Sequence, residues 1–274
     1  MPVAQSPTSS RSRPVQREAR GSENSLLPRS KKNVFIVSDL SQIELRVLGH
    51  FTKDKELIKA YKNGLSLHKL LAERVFGPDY TDTQYLLAKN GNFSCLFGGS
   101  PGVLVRKYQF PNVRTAQKVI DGFYATYRRV MPWKQETIYE ARNRYKRRKS
   151  PPYTLTILGR KRRLPELMSS VRSVRSGAER QAISSIIQGS AADLFKLGMI
   201  ETHRKLQDVK WEGHILMMVH DEMVVEVPER YADEGLELVK SSMENVLNPM
   251  TGEPILSIPI VAEAKIVTRW SEGK

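Results

Sequence analysis

The stretch NVFIVSDLSQIELRVLGHF, residues 33–51, places two different patterns in immediate succession. NVFIVSD is almost wholly apolar and β-branched, which is typical of a buried strand. Ile43, Val47 and Leu48 then recur near helical spacing. Asp39 therefore lies where a strand ends and a helix begins, and its side chain is expected to be free of the sheet.

A second stretch, HILMMVHDEMVVEVP at 214–228, predicts two apolar strands that meet near His220 and Asp221. A carboxylate between such strands is costly to bury unless it is paired, hydrogen-bonded or bound to a cation. If the fold brings Asp39 and Asp221 together, they could hold two divalent cations about 3.5–4 Å apart, as in many phosphoryl-transfer sites. Taken singly, each aspartate is equally typical of a helix or turn cap.

The composition indicates a globular protein that attracts polyanions. Its 274 residues include 44 Lys and Arg against 29 Asp and Glu, a formal charge of +15, which favours nucleic acid as a partner. No apolar run approaches the roughly 18–20 residues of a membrane helix, so we expect no membrane partner. The single cysteine, Cys95, excludes an internal disulfide and suits a reducing, cytoplasmic location, in a bacterial cell or a virus-infected host cell.

The chain is predicted to be of the α+β class behind a flexible basic arm at residues 1–32, which is rich in Ser, Arg and Pro. No internal repeat is visible. Strands are predicted at 33–39, 153–159, 214–228 and 258–266, and helices at 41–51, 53–62, 66–76, 82–97, 112–128, 131–147, 178–206 and 231–247.

Two further patterns remain open to alternative interpretations. Segment 141–163 holds ten Lys or Arg and no acid, which is typical either of a phosphate-backbone track, with Tyr145 and Tyr153 stacking on bases, or of a solvated helix face. Four residues recur every fourth position of the 82–97 helix, and this periodicity alone favours a core face with a snorkelling lysine. They are Tyr85, Lys89, Phe93 and Phe97.

From about residue 33 to its end, the chain resembles the DNA polymerase I family, family A. SDLSQIELR at 38–46 resembles its motif A, AKNGNFSCLFG at 88–98 its motif B, and VHDE at 219–222 its motif C. Three more segments are similar to family segments in the same order: GRKRRLPE at 159–166, ERQAISSIIQGSAADLFK at 179–196, and VAEAKIVTRWSEGK at 261–274.

The resemblance implies a right-hand polymerase palm, an antiparallel sheet plus helices, with mainly α-helical fingers. Palm would occupy 33–65 and 166–274, and fingers 66–165. The family's thumb and nuclease-like domains do not fit into the first 32 residues, so palm and fingers alone are expected, with no thumb or exonuclease domain. Either a separate polypeptide supplies those functions, or the enzyme is distributive, or the chain is a remnant.

The resemblance also implies a DNA-directed DNA polymerase that uses dNTPs, a primer-template and two Mg²⁺ ions, with Mn²⁺ as an alternative ion. Asp39 and Asp221 would bind the metal, with Glu222 as an auxiliary carboxylate. Lys89 and His68 would bring positive charge to the triphosphate, and Lys89 would protonate the leaving pyrophosphate. Glu44 would exclude a ribose 2′-hydroxyl, although Ser41 and Glu44 also fit a helix capping box. Gln42, Phe93 and Phe97 complete the implied nucleotide site, and the implied DNA contacts are Arg160, Arg162, Arg180, Gln188 and His220.

Four positions depart from the family pattern, and one of them is Leu40 in motif A, where tyrosine is common. Tyr85 stands where an arginine is usual, which removes one cationic contact to the triphosphate, and Phe97 and Ser184 replace a usual tyrosine and asparagine. Tyr85 and the expected absence of a thumb favour one alternative, a catalytically weak or inactive nucleic-acid-binding subunit. Another, a two-metal nuclease, would have no use for Lys89 and Phe93 on one helix face.

Overall fold

The structure is a computed structural model that describes residues 26–148 and 150–273, with the backbone alone at 145–148. The predicted basic arm lies outside the described residues up to position 25. The strands are β1 (Asn33–Leu40), β2 (Tyr153–Leu155), β3 (Lys161–Arg163), β4 (His214–Val219), β5 (Glu222–Pro228) and β6 (Ala262–Val267). The helices are α1 (Ile43–Thr52), α2 (Lys55–Lys62), α3 (Leu67–Phe76), α4 (Asp82–Leu96), α5 (Pro101–Tyr108), α6 (Val113–Thr126), α7 (Val130–Arg148), α8 (Arg172–Asp208) and α9 (Ala232–Glu244).

Four strands form an antiparallel sheet in the order β4-β5-β1-β6. The apolar strand β1 lies between β5 and β6, which explains why it is buried along most of its length. The register places Asp39 opposite Glu222 on β5 and opposite Glu263 on β6. Residues directly opposite each other in adjacent strands point to the same face, so three carboxylates form one row across the sheet.

The two faces of the sheet are covered differently. Helix α9 packs on β1 and β6, and Val34, Ile36 and Leu40 on that side join the main hydrophobic core. On the other side, Phe35 and Val37 form a smaller cluster against which Leu26 and Trp270 pack. Asp39 follows these two residues at alternate positions and therefore belongs to the face that α9 does not cover.

The described residues confirm the α+β class and correct several predicted elements. Of the strand predicted over 153–159, residues 153–155 form β2, and a turn in which Gly159 has a φ of +78° leads to β3, a strand that was not predicted. Helix α8 begins at Arg172 instead of 178 and runs to Asp208, so Gly177 lies inside it. Helix α5 was not predicted, and its Pro101 lies in the first helical turn, where proline is well tolerated.

The buried carboxylate of Asp54 connects the start of helix α2 to the start of helix α7. Asp54 is 3% exposed, and its Oδ1 accepts hydrogen bonds from the backbone amides of Glu56 and Leu57 at the start of α2. Its Oδ2 accepts another from the amide of Arg129, 2.9 Å away, just before α7 begins. Asp54 thus caps α2 and fixes the start of α7 against it.

Replacing Asp54 with alanine should lower the free energy of unfolding by about 2–4 kcal/mol, since the change removes a helix cap and leaves buried amides unpaired. Urea unfolding followed by circular dichroism measures this loss. Asp79→Ala, at an exposed position before α4, is the matched control and should change stability by less than about 0.5 kcal/mol. Equal stability of the Asp54 and Asp79 variants would contradict the proposed cap.

Candidate active site

A cleft of about 340 Å³ opens at the C-terminal end of β1, between the sheet and helices α3 and α4. Its volume lies within the range of small-molecule sites in proteins. Seven of the residues selected from the sequence line it: Asp39, Gln42, Glu44, His68, Lys89, Phe93 and Asp221. The fold therefore brings together residues from all three sequence motifs.

Asp221 reaches Asp39 through a two-residue turn between β4 and β5. Val219 pairs with Glu222 across this hairpin, and His220 takes a left-handed backbone with a φ of 58°. The amide of Leu40 donates to the carbonyl of Asp221 at 3.4 Å, which fastens the turn to the end of β1. The carboxyl groups of Asp39 and Asp221 are close enough to share a hydrogen bond.

The crowding of carboxylates changes the chemistry of Asp39. Burial, followed by the charges of Asp221, Glu263 and Glu222, raises the pKa of Asp39 to about 6. A raised pKa of this origin means that the negative charge of the site is poorly compensated by the protein. A bound cation would supply the missing charge.

The donor set fits a hard divalent cation that completes its shell with other ligands. Across residues 26–148 and 150–273, no group of three or more His, Cys, Asp or Glu is arranged to hold a metal. Mg²⁺ is usually bound by one or two carboxylates, several waters and substrate phosphates, without a full cage of side chains. Asp39 and Asp221 meet that requirement.

The two neighbouring glutamates differ in their surroundings. Glu222 accepts a hydrogen bond from the Trp270 indole at 2.5 Å, so its carboxylate is held toward the C-terminal segment. Glu263 lies in the cleft opposite Asp39 and was missed by the sequence analysis. The available signal was a single acid in the otherwise apolar start of β6.

Glu44 is held by the long helix α8. The capping-box alternative is wrong, because the residue before α1 is Gln42, in a left-handed conformation with a φ of 53° and without a side-chain cap. Glu44 instead shares a hydrogen bond with Gln188. Burial raises the pKa of Glu44, the hydrogen bond to Gln188 lowers it, and the charge of Asp221 raises it.

The side chain of Gln42 is held in place by a hydrogen bond from Tyr61. Its Oε1 accepts a hydrogen bond from the Tyr61 hydroxyl at 3.2 Å, and the guanidinium of the buried Arg46 lies 4.4 Å from the centre of the Tyr61 ring. Arg46 also donates to the carbonyls of Ser41, just before α1, and of Pro259, just before β6. The turn between β1 and α1 is thereby anchored at several points.

One side of α4 faces the cleft, contrary to the core face that periodicity alone favours. Tyr85, Lys89 and Phe93 line the cleft, whereas Leu87, Ala88 and other residues on the opposite side are buried in the main core. Phe97 does not share this position, since it is the residue after the last turn of α4 and packs against the core. Tyr85 packs against Tyr80, with ring centroids 6.4 Å apart.

His68 is buried on α3 and does not carry the expected positive charge. Burial, followed by the nearby charge of Lys89, lowers the pKa of His68 to about 4. Its ring centroid lies 5.5 Å from that of Phe93. His68 is therefore neutral at pH 7 and can act as a hydrogen-bond donor or acceptor, but not as a cation.

The residues selected as DNA contacts lie outside the cleft lining. Gln188 is exposed on α8 beside Glu44, and Arg180 packs its side-chain stem against Gly98 after α4. Arg160 pairs with the buried Asp193 and donates to the carbonyl of Gly189 at 2.7 Å. Arg162 is exposed on β3, and His220 is exposed in the β4–β5 turn.

Part of the basic segment has a structural role. Arg142 pairs with Glu179 at 2.6 Å, and Arg144 donates to the carbonyl of Tyr153 at 2.9 Å. Tyr153 is buried beneath Arg144 and Lys161, so the suggestion that it stacks on bases is wrong. The Tyr145 side chain lies outside the described residues. Ser184, which departs from the family pattern, donates back to the carbonyl of Gln181 in its own helix.

Comparison with known proteins agrees with this geometry. The sequence profile of DNA polymerase family A matches residues 12–272. The chain is 36% identical over 245 residues to DNA polymerase I of Caldicellulosiruptor bescii, and 35% identical over 252 residues to that of Streptococcus pneumoniae serotype 4. These alignments cover 88% and 90% of the chain and 27% of each relative. The chain thus spans about a quarter of the length of these curated relatives.

A solved structure is also similar. It is the POL domain of Pol1 from M. smegmatis in complex with DNA primer-template and dNTP, with a TM-score of 0.79 and 29% identity. The match covers 92% of the chain and 42% of that structure's chain. Along the described residues, no helix combines the length and apolarity that crossing a bilayer would require.

Proposed function

The chain belongs to DNA polymerase family A, and from this premise we propose that it catalyses template-directed transfer of a deoxynucleotide from a dNTP to a primer 3′-hydroxyl. The observation that carries this proposal is the meeting of Asp39 and Asp221 in one cleft with Lys89. Paired carboxylates suit metal-assisted phosphoryl transfer, and a lysine beside them suits a triphosphate. The resemblance noted in the sequence is thus confirmed at the level of the family.

The substrates and partners are part of this proposal, because the chain spans only about a quarter of its curated relatives. The similar M. smegmatis structure contains primer-template DNA and a dNTP. A separate polypeptide that supplies thumb and exonuclease functions also remains a proposal. The sheet with α8 and α9 would act as the palm, and the helices α3–α7 as the fingers.

Asp39 and Asp221 would hold two Mg²⁺ ions, with Mn²⁺ as a substitute. When bound, the ions would lower the pKa of the primer hydroxyl and neutralise the triphosphate and the leaving oxygens. Lys89 is exposed toward the cleft and would bind the triphosphate and donate a proton to the leaving pyrophosphate. His68, being neutral, would contribute a hydrogen bond and no charge.

The sugar of the nucleotide would lie between α1 and α4. Glu44 is fixed by Gln188 and lines the cleft, so it would exclude a 2′-hydroxyl by occupying that space. Phe93 on the facing side would stack on the nucleoside, and the anchored Gln42 would contact the phosphates or sugar. Arg180, Gln188 and His220 would contact the primer and template, with Arg162 at the exposed β3 edge.

A second candidate, a nucleic-acid-binding subunit without activity, rests on the aromatic pair Tyr80–Tyr85. Tyr85 of that pair lines the cleft at the position where the family resemblance implies an arginine, so one cationic contact to the triphosphate would be missing. The intact carboxylates and Lys89 favour the enzyme, because binding alone does not require them together.

Primer extension by the purified chain distinguishes the two functions. We expect dNTP incorporation onto a primed template with Mg²⁺, loss of incorporation with excess EDTA, and recovery when Mg²⁺ or Mn²⁺ is returned. The control is a fluorescence-anisotropy measurement of DNA binding under the same conditions. DNA binding without any metal-dependent incorporation would contradict the enzyme and support the binding subunit.

A further inference from the structure

Asn92 and His68 lie side by side where α4 packs on α3, and both side chains are buried. The Asn92 Nδ2 atom is 3.0 Å from His68 Nδ1. We propose that Asn92 is a positioning residue that fixes His68 in the tautomer with the proton on Nε2, so that His68 donates a hydrogen bond to a nucleotide phosphate. The phosphate part of this inference rests on the proposed function, whereas the tautomer does not.

The orientation of the Asn92 amide follows from a second contact. Nδ2 also lies 3.2 Å from the backbone carbonyl of Leu67. A carbonyl oxygen only accepts hydrogen bonds, so the amide nitrogen, and not the amide oxygen, must face Leu67. The same NH₂ group has a second hydrogen, which is directed to His68.

The orientation of the amide then determines the proton on the imidazole. Because Asn92 donates to Nδ1, that nitrogen must be the acceptor of the ring. In a neutral imidazole the other nitrogen, Nε2, then carries the hydrogen. Since the His68 ring lines the cleft, Nε2–H is the polar group that it has left for a ligand.

The surroundings keep the ring neutral, which the tautomer requires. Phe93 packs at 5.5 Å and Tyr85 at 6.3 Å between ring centroids, and the charged neighbour is the cation Lys89. Burial and that cation lower the pKa of His68 to about 4. A neutral donor next to Lys89 can approach a phosphate without the repulsion that two adjacent cations would create.

An asparagine at position 92 also costs free energy that a role in packing alone would not explain. Its Oδ1 is buried without a hydrogen-bond partner among the described residues. A buried polar atom without a partner costs free energy, and an apolar side chain of similar size would avoid that cost. The unpaired oxygen is consistent with a role for Asn92 that depends on the two hydrogens of its NH₂ group, one donated to Leu67 and one to His68.

The tautomer can be measured on the free protein with ¹⁵N-labelled histidine, by two-bond ¹H–¹⁵N correlation at pH 7.5. We expect His68 to show the Nε2–H pattern in the unmodified chain. In Asn92→Asp a carboxylate would accept from Nδ1, so the proton should move to Nδ1 or the ring should become doubly protonated. Asn90→Asp makes the same change two residues earlier on α4 and should leave the pattern unchanged. An Nδ1–H pattern in the unmodified chain would overturn the proposal.

The positioning role is tested by binding of Mg²⁺–dATP in titration calorimetry, which does not require catalysis. We expect Asn92→Leu, which removes both donated hydrogens, to weaken binding about tenfold, with Asn90→Asp near the unmodified affinity. In a His68→Ala background, Asn92→Leu should have no further effect, because its role passes through the imidazole. Equal losses in the two backgrounds would mean that Asn92 acts on the fold and not through His68. Failure of primer extension with these results intact would count against the polymerase and not against the tautomer.

Discussion

Asp221→Ala is expected to lower Mg²⁺-dependent nucleotide incorporation by about 10³-fold or more. The side chain shares a hydrogen bond with Asp39 and is the one contribution of the β4–β5 turn to the crowded carboxylate site. In the proposed mechanism, its loss would leave Asp39 alone to hold the metal ions where charge would develop on the triphosphate. Single-turnover extension of a primed template measures the change.

DNA binding should be nearly unchanged in the same variant. Affinity for duplex DNA comes mainly from Lys and Arg contacts to phosphates, and Asp221 makes none. Asp233→Ala is the matched control, because it removes an exposed aspartate from the first turn of α9, outside the cleft. If Asp221→Ala extended primers as fast as Asp233→Ala, the assignment of Asp221 as a metal ligand would be wrong.

The meeting of Asp39 and Asp221 could be predicted from the sequence because local patterns define the surroundings of each residue. The apolar runs that become β1, β4 and β5 are bounded by Asp39 and by the His220–Asp221 turn, and each run forms a strand for reasons contained in its own residues. The antiparallel pairing of these strands and the His220–Asp221 turn then bring Asp39 and Asp221 to the same end of the sheet. The sequence pattern could not predict the register between β1 and β6. This register places Glu263 opposite Asp39, although more than 200 residues separate them in the chain.

Other errors have equally local causes. Proline and glycine in GGSPG indicate a turn, yet Pro101 opens α5 because the first helical turn does not need its amide hydrogen. The helix predicted from residue 178 begins earlier, at Arg172, and continues across Gly177, a residue of low helix propensity. The periodicity of Tyr85, Lys89 and Phe93 identified one face of α4 correctly but favoured a core position for it, whereas that face lines the cleft. Tertiary packing decides this, because the other side of α4, with Leu87 and Ala88, is buried in the main core.

The charge and tautomer of His68 could not be read from the chain at all. Its neutrality depends on burial against α4 and on the proximity of Lys89. The amide of Asn92 reaches it only because α3 and α4 pack closely. A side chain that acts through a neighbour on another helix cannot be recognised from the spacing of residues along the sequence. A carboxylate at the end of an apolar strand can be recognised in that way.

The second large effect concerns Lys89. Lys89→Met should lower kcat/KM for dNTP by about 10²–10³-fold, since the nearby His68 is neutral and a tyrosine at position 85 cannot supply a positive charge. Little other positive charge in the cleft lining can compensate, because the remaining charged residues of that lining are acids. Lys89→Arg keeps the charge and should recover much of the binding, while recovering less of kcat if the lysine also donates a proton, since arginine holds its proton far more tightly.

Lys69→Met, an exposed lysine on α3, makes the same change in net charge away from the cleft lining and should leave both kinetic constants near their original values. Steady-state kinetics of single-nucleotide addition at fixed Mg²⁺ separate the two roles of Lys89. Equal recovery of kcat and KM by Lys89→Arg would leave binding of the triphosphate as its whole contribution. If Lys89→Met lowered kcat/KM as little as Lys69→Met does, the positive charge of Lys89 would not be needed. The nucleotide would then have to bind in a part of the cleft away from α4.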